Sequence, residues 1–226
     1  MKEGPDLSRI AALAGDPARA NMLSALMSGA ALTASELALE GGAGLPTASS
    51  HLAKLADGGL VTVATQGRHR YYALAGSEVA SMLEAIQGVA ATAGPKRARP
   101  GPRDGAMREA RVCYDHLAGE KGVALFDHLV SRKLIAQKSG DVELTRAGHR
   151  WFTALGIDIS GLETKRRPLC RACLDWSVRR SHLAGALGAA ALNRMFDLKW
   201  ARRLPDSRVV RFTPPGQAAF ARLVRD

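Results

Sequence analysis

Three cysteines in 226 residues are too few, and odd in number, to form an extracellular disulfide framework, so a reducing, cytoplasmic setting is expected. Aromatic residues make up only 5% of the chain. No apolar run approaches the roughly 20 residues that a membrane span requires, and no signal peptide is expected at the start of the chain. There is no Gly-rich phosphate loop, no Gly-x-Ser-x-Gly and no His-Glu-x-x-His. An enzyme is therefore not expected, and neither is a cofactor. One charge sign is also under-represented: 32 Lys and Arg stand against 21 Asp and Glu, a net charge of +11. Such a chain favours an acidic partner, nucleic acid before membrane.

The charge is unevenly placed. Residues 1–92 carry 6 basic against 8 acidic side chains, a net of −2, so residues 93–226 carry +13. The most organised stretch nevertheless lies in the acidic part, from Thr33 to Leu74. Thr33 with Glu36 three residues on is a capping box that starts a helix through Leu37 and Leu39. Gly41, Gly42 and Gly44 end it, because glycine accepts the positive φ of a tight inter-helix turn. Pro46 suits the first turn of a second helix. Ala48, Leu52 and Leu55 form that helix's buried stripe, which leaves Thr47, Ser49, Ser50, His51 and Lys54 on its other faces.

After Asp57-Gly58-Gly59 the period changes. Val61, Val63 and Tyr71 alternate with smaller or polar residues around the cationic tip Gln66-Gly67-Arg68-His69-Arg70, which predicts a two-stranded wing. A helix–turn–helix followed by such a wing puts one helix into a major groove and the wing's arginines on an adjacent groove or phosphate. Thr47, Ser49 and Ser50 are the expected base-edge contacts. His51 and Lys54 are expected at phosphate or helix-end positions, and Arg68 and Arg70 in the wing.

Upstream, Leu7–Leu13 and Asp16–Leu26 read as helices, the second capped by Asp16-Pro17. Downstream, Ser77–Ala91 is amphipathic, with Val79, Leu83 and Ile86 on one face and Ser81 and Glu84 as a capping pair within it. Packing on a second copy and packing on the chain's own core are both open for this helix.

Taken together, Asp16-Pro17-Ala18-Arg19, the Ser49–Leu55 helix, the Gly59-Leu60-Val61 step and the Arg68–Tyr72 wing resemble the ArsR family of winged-helix repressors over about the first 90 residues. The resemblance implies a homodimer that binds an inverted-repeat operator in double-stranded DNA and leaves it when an inducer binds. It also implies that the first helix belongs to the dimer interface. Two of the family's metal-binding positions have no ligands here. The thiol-bearing motif is replaced by Ala31–Leu37, and the Ser77–Ala91 helix has no histidine. A non-metal, small-molecule effector is expected instead.

Residues 93–105 hold three prolines and four cations, which marks a basic linker and the domain boundary. Beyond it the chain repeats. His116-Leu-Ala-Gly119 recurs as His182-Leu-Ala-Gly185, and the helix starts at Thr145 and Thr213 also correspond. The expected order in each copy is a cysteine-bearing helix, a glycine turn, a helix, a hairpin and a capped helix. The fold class predicted is thus mainly α with small β-wings: a winged helix-turn-helix domain (1–92), a linker (93–105) and a C-terminal domain of two winged-helix-like repeats, about 106–160 and 167–226.

Cys113-x-x-His116 and Cys170-x-x-Cys173 have the spacing of zinc ligands. On predicted helices, however, cysteine acts as a small buried hydrophobe, and no metal site is assigned. Cys113, Tyr114, His116, Cys173, Trp176 and His182 are taken as the candidate effector site. A metal- or redox-sensing role for this cluster, and an architectural DNA-coating role for the basic half, remain the alternatives. Trp151, Trp176, Trp200, Tyr114 and Phe126 either line an effector pocket or fill a core.

Overall fold

The computed structural model describes residues 4–67, 69–93, 102, 104–138, 141–205 and 207–225. Arg68 and most of the basic linker, including Lys96, Arg97, Arg99 and Arg103, lie outside them. The chain divides into two compact units, Met1–Leu83 and Glu84–Asp226. Among the described residues no helix is long and apolar enough to cross a membrane.

The first unit runs α1 (Leu7–Gly15), α2 (Pro17–Leu26), β1 (Leu32–Thr33), α3 (Ala34–Gly41), α4 (Leu45–Asp57), β2 (Val61–Gln66), β3 (His69–Leu74) and the beginning of α5 (Ser77–Ala93). Local chemistry accounts for its helix ends. Asp16 accepts from the Arg19 N–H at 2.9 Å ahead of Pro17. Thr33 and Glu36 form the full capping box, with Glu36 Oε2 accepting the Thr33 N–H at 2.7 Å. Gly42, at φ 62°, closes α3 in the left-handed region. Met22, Leu23 and Leu26 of α2, Leu37 of α3 and Leu52 and Leu55 of α4 are fully buried together. Each such side chain contributes about 1.5–3 kcal/mol. The strands form a three-stranded antiparallel sheet in the order β1-β3-β2. Val61 pairs with Leu74 and Val63 with Tyr72, and Tyr72 and Leu74 are buried.

The second unit contains α6 (Gly105–Glu109), β4 (Arg111–Cys113), β5 (His116–Ala118), α7 (Glu120–Ser131), β6 (Ile135–Lys138), β7 (Asp141–Leu144), α8 (Arg146–Ala154) and α9 (Ile159–Glu163). It continues with β8 (Arg171–Leu174), β9 (Ser181–Ala184), α10 (Gly185–Asp197), β10 (Ala201–Arg203), β11 (Val210–Phe212) and α11 (Pro214–Leu223). Each copy is therefore hairpin, helix, hairpin, helix. The two cysteine-bearing segments are strands, which corrects the expected helices and removes the first helix of a winged-helix order. The predicted caps are present. Thr145 accepts from the Gly148 N–H at 3.0 Å and Thr213 from the Gly216 N–H at 3.1 Å. One core joins both copies, with Phe126, Leu129 and Phe152 packed with Leu187, Leu192, Met195 and Phe220.

Candidate nucleic-acid interface and the C-terminal Cys/His cluster

Helix α4 buries Ala48, Leu52 and Leu55 and exposes Thr47, Ser49, Ser50 and Lys54. The 3.6-residue period sends these two sets to opposite faces, so the hydroxyl-bearing face is free to meet a partner. Gly44, its N-cap, offers no side-chain cap. His51 behaves differently from the other polar residues of α4. Its Nδ1 lies 3.2 Å from Arg19 Nη1 and 4.0 Å from Asp16 Oδ1, which ties α4 to the start of α2. Of the two positions expected for His51, phosphate or helix end, these contacts correspond to the second, at the N-terminal end of α2. In the wing, Arg70 is exposed on β3 and pairs with Thr65 across the hairpin.

In the second unit the six residues expected as an effector site separate into two groups. Cys113, His116, Cys173 and His182 are buried and their donor atoms lie within 4.8 Å of one another. Tyr114 occupies the tight β4–β5 turn at φ 60°. Trp176 stands by Arg111, whose guanidinium carbon is 5.2 Å from the indole centroid. Cys170 does not join the four, so the sequence-based pairing of Cys170 with Cys173 is replaced by Cys173 with His182. Burial pushes the Cys170 thiol up to about 12. The five aromatics do not line one pocket either. Phe126 is in the core, Trp151 packs edge-on against Phe152, and Trp151 and Trp200 border a shallow cavity of about 330 Å³.

The cluster is electrostatically strained in a defined way. The bond from Cys173, joined by His116 and His182, outweighs burial and holds the Cys113 thiol well below its usual range, while Cys173 is pushed up by that same bond and by burial. Burial opposes the charged form of His116, but Asp115 and Cys113 raise it to about 10. His182 is lowered by burial. The directions alternate: Cys113 and His116 lean toward their charged forms, Cys173 and His182 toward their neutral ones. Glu84, near the middle of α5, contacts both sulfurs and is pushed up to about 8 by burial and then by Cys113. Its expected role in a capping pair with Ser81 does not hold, since Ser81 Oγ donates to the Ser77 carbonyl at 2.7 Å.

An exposed hydroxyl-bearing second helix, a glycine turn and a β-wing define the class: a winged helix-turn-helix DNA-binding protein. A helix-turn-helix domain family matches residues 14–64, from the end of α1 into β2. The uncharacterized HTH-type transcriptional regulator YdfF of Bacillus subtilis (strain 168) is 40% identical over 216 residues, 96% of each chain. The chain belongs to this family of helix-turn-helix transcriptional regulators. Two solved structures resemble it in part. One is a homodimeric winged helix-turn-helix DNA-binding domain from Mycobacterium bovis, a possible ArsR-family transcriptional regulator. It is 28% identical and matches 40% of this chain and 90% of its own at a TM-score of 0.35. The other is the cadmium metal-sensor CMTR from Mycobacterium tuberculosis, 27% identical, matching 43% and 99% at a TM-score of 0.32.

Proposed function

We propose that this transcriptional regulator is a sequence-specific repressor that binds an inverted-repeat operator as a homodimer and is released by a small-molecule effector acting on the C-terminal unit. The observation that carries the DNA-reading part is the division of α4, with Ala48, Leu52 and Leu55 inside and Thr47, Ser49, Ser50 and Lys54 outside. Small hydroxyls fit base edges and phosphates at close range, where the long Glu and Lys side chains of an ordinary solvated face would hold the helix off. Lys54 and Arg70 supply phosphate contacts, together with Arg68, which lies outside the described residues. His51 serves as a positioning residue through Asp16 and Arg19. Dimerisation is supported by apolar side chains left in solvent: Leu7 on α1 in the first unit, and Ile86 and Val89 on α5 in the second.

The test is operator binding by Ser49→Ala and Ser50→Ala variants, compared with binding to random duplex. Each lost base contact is worth about 1–3 kcal/mol on the operator and little on random DNA. Equal losses on both would remove α4 as the reading helix and leave a charge-driven, architectural DNA binder.

A further inference from the structure

The four ligand-type side chains of the C-terminal unit are delivered by two copies of one device. Cys113 stands directly opposite His116 across β4–β5, and Cys173 opposite His182 across β8–β9. Directly opposed residues of an antiparallel pair share a face. Each hairpin therefore presents one sulfur and one imidazole to the same side. Strand β5 lies against β9, α7 packs on β9 and α10 on β5, which turns the two hairpins face to face. The close approach depends on glycine at equivalent places. A Cβ on Gly122 of α7 would stand 3.3 Å from the His182 Cβ, and one on Gly188 of α10 would stand 3.3 Å from the His116 Cβ.

The inner and outer sides of the two imidazoles are both arranged. Inward, His116 Nε2 and His182 Nε2 are 3.1 Å apart. Two imidazole nitrogens bound tetrahedrally to zinc at 2.0–2.1 Å stand about 3.3 Å apart. Outward, His116 Nδ1 is 3.1 Å from Asp115 Oδ1, and His182 Nδ1 is 3.8 Å from Asp175 Oδ2. Each carboxylate is held by an arginine of the other copy: Asp115 by Arg167 at 2.5 Å, and Asp175 by Arg111 at 2.8 and 2.9 Å. The Asp115 carboxylate behind His116 keeps the proton on its Nδ1 and aims its Nε2 lone pair inward, whereas His182 Nδ1 is buried without a hydrogen-bond partner among the described residues, with Asp175 behind it. Two such nitrogens facing each other in a buried site need either a shared proton or a metal cation between them. Two thiols, two imidazoles and the Glu84 carboxyl are also a poor substitute for apolar packing, because desolvated polar groups are costly when only partly satisfied.

We propose that this cluster is a zinc site, with one Zn²⁺ per chain held by Cys113 Sγ, Cys173 Sγ, His116 Nε2 and His182 Nε2. The donor set is two soft sulfurs and two imidazoles in closed tetrahedral array, which selects zinc and its analogues Co²⁺ and Cd²⁺ over oxygen-seeking Mg²⁺ or Ca²⁺. As the ion enters, the thiol and imidazolium protons leave to solvent and the two thiolates neutralise its charge. Glu84, against both sulfurs, is a positioning residue that ties α5 to the occupied site. None of these residues lies in Ala31–Leu37, and the site stands whether or not the first unit reads an operator.

The full-length protein provides the test. Stripped with a chelator under reducing conditions and reloaded with Co²⁺, it should bind one equivalent. The visible d–d bands of a tetrahedral site and thiolate-to-cobalt charge transfer should appear, and stoichiometric Zn²⁺ should bleach both. X-ray absorption of the zinc-loaded protein should show two sulfur scatterers at about 2.3 Å and two nitrogen scatterers at about 2.0 Å. Cys173→Ser should weaken the charge-transfer band, and Cys170→Ser should leave it unchanged. Circular dichroism checks that each variant is folded, and the wild-type spectra decide the matter even where a ligand variant unfolds. A wild-type protein without the tetrahedral cobalt spectrum, a first shell without sulfur, or loss of the site in Cys170→Ser would overturn the assignment.

Discussion

His116 and His182 meet Nε2 to Nε2 at 3.1 Å, 66 residues apart in the chain and at the same place in each copy of a duplicated unit. The contact joins the copies at their centre. Around it the partners are exchanged: Arg111 of the first copy holds Asp175 of the second, and Arg167 of the second holds Asp115 of the first. A device of this kind cannot form in one copy alone, and among the described residues one apolar core likewise spans both copies.

The two carboxylates behind the histidines should respond differently to neutralisation. Asp175 and Arg111 are wholly buried, and burial alone would raise the Asp175 pKa. Arg111, Ser177 and the Val178 and Gly119 N–H groups more than offset this and bring it down to about 2. Asp175→Asn strands a buried guanidinium and should cost about 3–5 kcal/mol in urea unfolding of the second unit. Asp115 is 28% exposed, so Asp115→Asn should cost far less stability. Its effect should appear in metal affinity, as a loss of about 10–100-fold in a chelator competition. Equal stability losses for the two variants would contradict the structure.

Gly122→Ala and Gly188→Ala should be matched in effect. An added methyl runs into the Leu117 carbonyl in one case and the Leu183 carbonyl in the other, as well as approaching the facing histidine. Backbone cannot step aside as a side-chain tip can. Each variant should lose about 1–3 kcal/mol in thermal or urea unfolding, with a similar loss in the two.

In the first unit, Thr33→Ala removes the reciprocal cap of α3 and should destabilise it by about 1 kcal/mol, while Thr33→Ser keeps the hydroxyl and most of the stability. Differential scanning calorimetry of the pair checks this. Identical melting of the two variants would mean that Thr33 acts through its methyl group.

Charge should make the basic half count in DNA binding. With residues 1–92 at −2 and residues 93–226 at +13, phosphate contacts made only by Lys54, Arg68 and Arg70 give a shallow salt dependence. Each contact contributes about 0.9 to the slope of log K against log salt. Lys54→Gln should lower the slope by roughly that amount. Neutralising Lys96, Arg97, Arg99 and Arg103 together should lower it further if the second half tracks phosphates. An unchanged slope in the fourfold variant would assign the basic charge to something other than the operator.

Features that depend on residues three or four apart were legible in the sequence. The Thr33/Glu36 box, the Asp16-Pro17 start, the Thr145 and Thr213 caps and the buried stripe of α4 are all satisfied within one helical turn, so their partners are named by spacing alone. The matching caps at Thr145 and Thr213 were legible for a similar reason, and each precedes a helix that follows a hairpin.

Strand pairing and long-range partners were decided by the tertiary structure. Cys113 and His116 are three residues apart, a spacing that serves a helical turn and a two-residue hairpin equally. Only the pairing of Arg111 with Ala118 selects the hairpin. Cys173 finds His182 and not Cys170 because a strand reverses between them. His51 turns to Asp16 and Arg19, and Glu84 turns to two sulfurs, since a side chain on the boundary of a helical face takes whichever polar partner the packing brings. Short-range hydrogen bonds are written into adjacent residues, whereas the convergence of four ligands from two hairpins exists only once the two copies have docked.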